Sequence, residues 1–209
     1  MKISKILFYV SFSLLILLQF IGCEEKYTTE QQLYVEELNQ IRTETNEYMA
    51  QNPNSPFNAK GKIDFHNLNY FDANFDFIFR SKLYENAVKD TLVIMGTKGE
   101  QRQSIRFGYL LLDIDDEQLK LNVYKSQSQD GEVYYSIWFT DKTTGEESYG
   151  VGRYLNFELN EDPDFIYTID FNLAYNPYCA YSKDYSCAIP TKEDFIDAEI
   201  TAGEKIFHD

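Results

Sequence analysis

Apolar and polar positions alternate with three different periods along this chain. Ile6 to Ile21 is an almost unbroken apolar run, interrupted only by Ser11, Ser13 and Gln19. It is short for a helix that must cross roughly 30 Å of hydrocarbon. From Thr28 to Ala50 the pattern becomes helical: Tyr34, Leu38, Ile41, Thr45 and Tyr48 recur at steps of four and three and share one face. Thr28 and Gln31 have capping-box spacing, and Asn52-Pro53-Asn54 is a stop, so one helix is predicted over 28–52. From Ile63 onward the period falls to two.

Phe75, Phe77 and Phe79 alternate, and Thr91 to Met95 is short and β-branched before the turn Gly96-Thr97-Lys98-Gly99. Ser104 to Ile114 and the run through Leu119, Leu121 and Val123 flank Asp115-Asp116, which predicts a hairpin. Further strands are predicted over Val133–Thr140, Ser148–Leu159 and Phe165–Phe171, the first two joined by the Asp141-Lys142-Thr143-Thr144-Gly145 turn. Tyr175 to Pro190 reads as irregular, and Lys192 to Lys205 as an extended or partly helical closing segment. The fold class expected is mainly β (α+β), an antiparallel meander forming a barrel or sandwich over 60–209, preceded by one N-terminal helix.

The amino terminus carries an address. Lys2 and Lys5 precede the apolar run, and Phe20-Ile21-Gly22-Cys23 follows it, the layout of a secretory signal over residues 1–22. Gly22-Cys23 resembles the bacterial lipobox, in which the Cys thiol receives a diacylglycerol, although Phe20 stands where Leu is usual. Lipidation at Cys23 would make residues 23–27 a tether and hold the protein to the membrane outside the cytoplasm, on the periplasmic side or the cell surface. An uncleaved anchor or an ordinary signal is the alternative. The acidic pair Glu24-Glu25 resembles the surface-export signal of some Bacteroidetes lipoproteins, and an ordinary solvated tether explains it equally.

Without residues 1–22 the chain keeps 17 of its 19 basic residues and all 34 acidic ones, a net charge of −17. Phosphate backbones and anionic lipid are repelled by such a chain, so nucleic acid is excluded as a partner and the lipid must hold it at the membrane. The 17 Tyr and 16 Phe suit half-buried strands. Cys179 and Cys187 are the pair left after Cys23, and outside the cytoplasm an even pair reads as a disulfide. Closing nine residues would stabilise the fold by roughly 2.6 kcal/mol. Their spacing and the presence of only two His, His66 and His208, argue against a metal site. No cofactor is expected.

Two stretches carry a family resemblance. One is Asp141-Lys142-Thr143-Thr144-Gly145-Glu146-Glu147-Ser148-Tyr149-Gly150-Val151-Gly152-Arg153-Tyr154-Leu155. The other is Asp170-Phe171-Asn172-Leu173-Ala174-Tyr175-Asn176-Pro177-Tyr178-Cys179-Ala180-Tyr181. Cys187, Pro190 and Ala202-Gly203-Glu204-Lys205 continue the pattern. From about residue 60 to the end the chain resembles the bacterial and archaeal domain-of-unknown-function family 1684. Many relatives have Pro where this chain has Tyr178 and Ala188, and Asn-Arg-Leu where it has Asp194-Phe195-Ile196. Longer relatives carry an extra β-rich region where this chain has the helix from Thr28. The resemblance implies no activity and no catalytic residues.

The dense polar set around the cysteine loop is the candidate ligand-binding site: Glu147, Arg153, Asp170, Asn172, Tyr175, Asn176 and Glu204. Arg153 either grips a carboxylate or phosphate or forms a buried ion pair with Asp170 or Glu147. Gly150 and Gly152 would admit close backbone approach. No G-x-S-x-G, H-E-x-x-H or phosphate loop occurs, and Asp113, Asp115, Asp116 and Glu117 fit a hairpin turn better than a calcium loop. Three readings remain open. The first is a monomeric, lipid-anchored module binding a small molecule or an envelope partner. The second is a hydrolase of an envelope or glycan substrate using Glu147 and Asp170. The third is a purely structural envelope protein.

Overall fold

The computed structural model describes residues 27–128 and 130–208. The signal segment, Cys23 and most of the tether lie outside the described residues. The chain divides by compactness into a unit ending at Glu37 and a unit from Leu38 onward.

Helix α1 spans Thr29–Gln51. Its start has the capping box read from the sequence. The Gln31 N–H donates to Thr28 Oγ1 at 3.3 Å, and the Thr28 N–H donates to Gln31 Oε1 at 3.0 Å. Within the second unit Leu38 and Met49 are buried, while Ile41 and Tyr48 stay largely exposed. Among the described residues no helix is long and apolar enough to cross a membrane.

The strands are β1 Ile78–Lys82, β2 Tyr84–Glu85, β3 Thr91–Met95, β4 Gln101–Ile114, β5 Glu117–Gln127, β6 Val133–Asp141, β7 Arg153–Phe157, β8 Ile166–Asp170 and β9 Phe195–Ile196. The large sheet runs β2-β4-β5-β6-β7, with β3 also on β4 and β9 parallel to β6. β1 and β8 form a separate antiparallel pair. The β4–β5 hairpin turns on Asp115 and Asp116, both at positive φ, the backbone a two-residue type I′ turn demands and one that Asp tolerates. That turn accounts for the acidic run.

Among the described residues the strands do not close into a barrel: in their ladders β7 pairs with β6 alone and β8 with β1 alone. The main core lies on one face of the large sheet, where Leu110, Leu112, Val123, Ile137 and Phe139 meet Ile169 and Phe171 from the β8 side. Ile196, Ile200 and Ala202 of the closing segment complete it. A second cluster, Ile94, Tyr124, Trp138 and Ala188, packs separately.

Two strand predictions are shortened. Phe75–Phe77 is a 3₁₀ turn capped by the Asn74 side chain, so the alternating phenylalanines only begin β1. The strand predicted over 148–159 holds only over Arg153–Phe157. Before it, the N–H groups of Glu146, Glu147 and Ser148 all turn back to Thr143 O. Buried Asp141, Thr143 and Ser148 bond one another there through Oδ1 and hydroxyls.

Candidate functional site

Arg153 opens β7 opposite Phe139, so Asp141 on β6 is its diagonal neighbour on the same face. Both side chains are wholly inaccessible, and Arg153 Nη2 meets Asp141 Oδ2 at 2.8 Å. Nη2 also donates to Ile200 O at 2.8 Å, and Nη1 donates to Ala202 O. The guanidinium therefore clamps the closing segment against the sheet. Arg153 forms the buried ion pair, but its partner is Asp141 and neither Asp170 nor Glu147. Gly152 makes the approach possible: a Cβ there would lie 2.5 Å from Phe139 O. Gly150 has no such constraint, its nearest neighbour standing 3.8 Å away.

The clamped segment presents Glu204. Gly203 sits at φ +80°, where a Cβ would come within 2.5 Å of Phe171 O and 2.7 Å of Ala174 O. Glu204 then turns inward and is 1 % exposed. Its Oε1 accepts from the Tyr181 hydroxyl at 2.6 Å and from Asn176 Nδ2 at 2.9 Å. Its Oε2 accepts from the Asn176 backbone N–H at 2.9 Å. Burial pushes the carboxyl up to about 7, and its hydrogen-bond donors and the Arg153 charge oppose the shift only in part.

This network forms the base of a cleft of about 410 Å³. One wall is α1, through Leu38, Ile41, Arg42, Thr45, Tyr48 and Met49; the other holds Tyr70, Tyr175, Tyr178 and Tyr181 with Leu173 and Ala174. The helical stripe read from the sequence thus lines a cleft over Leu38, Ile41, Thr45 and Tyr48. The Arg42 guanidinium lies 4.6 Å from the Tyr70 ring centre. Burial raises the phenol pKa values of Tyr70, Tyr175, Tyr178 and Tyr181, so these rings stay neutral.

Of the predicted site residues, the structure brings Asn172, Tyr175, Asn176 and Glu204 to this cleft. Arg153 stands behind it as a positioning residue. Asp170 caps the 3₁₀ turn Phe171–Leu173 by accepting from the Asn172 N–H, and it lines a smaller hollow of about 210 Å³. Glu147 is exposed and meets Lys205 at 3.4 Å. Sequence reading missed Arg42 and Tyr70, which lie far in sequence from the polar cluster, and Tyr181, which sits beside Asn176 but carries no signal of its own among the many tyrosines. A broader hollow of about 640 Å³ holds Asp76, Asp113, Asp115, Lys142 and Glu199, all exposed and solvated. Among the described residues no three metal-ligating side chains gather.

Comparison with known proteins agrees with this frame. The family described as protein of unknown function (DUF1684) matches residues 63–205, well over half of the chain. The chain belongs to that family. No curated protein matches it. It is similar to an uncharacterized protein of Haloarcula marismortui solved by solution NMR. The two are 28% identical, the match covers 84% of this chain and 96% of that one, and the TM-score is 0.60. In this DUF1684 chain the family match contains the tyrosine wall and the Asn176–Glu204 base, while the α1 wall precedes it.

The two cysteines of the DUF1684 region lie against each other. Cys179 follows Tyr178 in the 3₁₀ turn Tyr178–Ala180, and its N–H donates to Cys187 Sγ at 3.1 Å. Both are thiols in this structure. The hydrogen bond from Cys187 lowers the Cys179 thiol to about 7, while the same contact and burial push the Cys187 thiol up. Tyr149 donates its hydroxyl to Cys179 O at 3.2 Å.

Proposed function

We propose that this protein is a lipid-anchored, extracytoplasmic binding module that holds a small ligand in the cleft between α1 and the tyrosine wall. The single observation that carries the reading is the cleft's composition. It is a largely apolar space of about 410 Å³ with a buried polar base, the ordinary form of a small-molecule site. Glu204 and Asn176 are costly to bury, and a purely structural role would be served as well by apolar side chains at these places.

Cys23 is the lipidation site in this proposal and the membrane its partner. The protein acts as a monomer without nucleic acid, and Cys179 and Cys187 close a disulfide outside the cytoplasm. The hydrolase reading draws no support from either the cleft or the smaller hollow: Asp170 lines the hollow, while Glu147, exposed beside Lys205, lines neither. Native mass spectrometry of residues 24–209, incubated with a small-molecule extract of the source envelope, tests the binding reading. A non-covalent adduct that disappears on Ile41→Trp supports it. A bare monomer under the same conditions removes it. Metabolic labelling with palmitate tests the anchor: label retained by Cys23→Ser would overturn lipidation at that residue.

A further inference from the structure

The cleft's three asparagines differ in what they have left to offer. Asn172 is fully engaged: its Nδ2 donates to Asn74 O at 2.8 Å and its Oδ1 accepts from the Asn74 N–H at 2.8 Å. Asn156 Oδ1 accepts from the Tyr175 hydroxyl at 3.0 Å. Asn176 is different. Its Nδ2 is held by Glu204 Oε1 and Lys205 O, both acceptors, so the amide cannot be turned over and its orientation is determined by its neighbours. Oδ1 therefore faces away from them, buried and without a hydrogen-bond partner, in a residue 1 % exposed that lines the cleft. A native buried acceptor left unpaired is uncommon and calls for a donor.

The rim has the opposite character. Ile41 and Leu173 are 40% and 44% exposed although both line the cleft. An acceptor thus stands at the base and apolar groups at the mouth, with the Arg42 guanidinium on the α1 wall against the Tyr70 ring. We propose that the ligand is a small amphipathic molecule with a hydrogen-bond-donating head, an ammonium or a hydroxyl, that displaces the side chains covering Asn176 Oδ1 to reach it while its apolar body lies along Ile41, Leu173 and the tyrosine rings. This assignment rests on the binding reading above and adds the chemical class of the ligand. At Asn176 a carboxylate head is the wrong partner, since it brings only acceptors to an acceptor; the Arg42 guanidinium on the α1 wall would draw it there instead, away from Asn176. The charge of −17 on the chain without residues 1–22 steers in the same direction, repelling anions and attracting an ammonium.

Three probes of matched size separate the possibilities: 2-phenylethylamine, 2-phenylethanol and 3-phenylpropanoate. Each is titrated into ¹⁵N-labelled protein (residues 24–209) while the Asn176 backbone and side-chain amide signals are followed. The amine, the alcohol or both are expected to shift these signals and to bind about tenfold or more tightly than the carboxylate. Amine alone identifies a charged head, and both together identify a neutral donor as sufficient. Ile41→Trp fills the mouth at an exposed position and is expected to abolish the shifts while the fold is kept. Carboxylate binding as tight as the best donor probe overturns the donor-head assignment and leaves the cleft as a binding site. Failure of all three to move any cleft signal overturns both.

Discussion

Asn176 grips Glu204 from two directions, with its backbone N–H on Oε2 and its side-chain Nδ2 on Oε1, each at 2.9 Å. The pair ties the irregular segment after β8 to the last turn of the chain, and both residues belong to the base of the cleft. Its burial makes the carboxyl titrate far above its ordinary range, and this has a consequence for stability.

The folded-state pKa of Glu204 is raised to about 7 from 4.5, so the folded protein binds this proton more tightly than the unfolded chain. The contribution is fully present below about pH 4.5 and is lost as pH rises through 7, up to about 3 kcal/mol. Urea denaturation between pH 4.5 and 8 is expected to show this decline. Glu204→Gln is expected to flatten it, while costing about 1–3 kcal/mol at low pH because its amide faces the Asn176 N–H. An unchanged pH slope in the variant would show that Glu204 is not the group responsible.

Arg153→Met leaves Asp141 buried without its cation and frees the carbonyls of Ile200 and Ala202. A loss of about 3–5 kcal/mol in unfolding free energy is expected. A loss below about 1 kcal/mol by denaturant titration would contradict the clamp.

Gly203→Ala places a methyl group against Phe171 O and Ala174 O at positive φ. Strain and overlap together are expected to cost more than about 2 kcal/mol, seen as a lowered thermal midpoint. Gly150→Ala, where an added Cβ would meet only an ordinary contact with Gly145 Cα at 3.8 Å, serves as the control and is expected to change stability by less than about 1 kcal/mol.

Oxidation of Cys179 and Cys187 is expected in protein recovered from outside the cytoplasm. The low Cys179 thiol pKa supplies the thiolate that attacks an external disulfide oxidant, and Cys187, whose Sγ already accepts from the Cys179 N–H, then displaces the oxidant as its reduced dithiol and closes the bond. Intact mass after alkylation of the native, unreduced protein checks this: two added alkyl groups would exclude the disulfide. Cys187→Ser is expected to cost about 2–3 kcal/mol under oxidising conditions and much less under reducing ones.

The sequence by itself determined the elements with a strict period. The α1 cap at Thr28 and Gln31, the hairpin at Asp115-Asp116 and β3 over Thr91–Met95 depend on interactions only a few residues apart, so local spacing sufficed to read them. It also brought Asn172, Tyr175, Asn176 and Glu204 forward as polar residues beside one loop. Tertiary structure alone decided the rest. Arg153 pairs with Asp141 because the β6–β7 register makes them diagonal neighbours, and register depends on both strands at once. The stripe on α1 faces a cleft because what lies opposite, Tyr70 and the 173–181 segment, is fixed only when the chain closes. Burial of Glu204, and hence its proton affinity, is likewise set by groups distant in sequence, the Arg153 clamp and the Tyr181 ring, acting with the adjacent Gly203 turn. Periodicity shows which face of an element is apolar, whereas the partner of that face, and the dielectric around a charge, belong to the assembled whole.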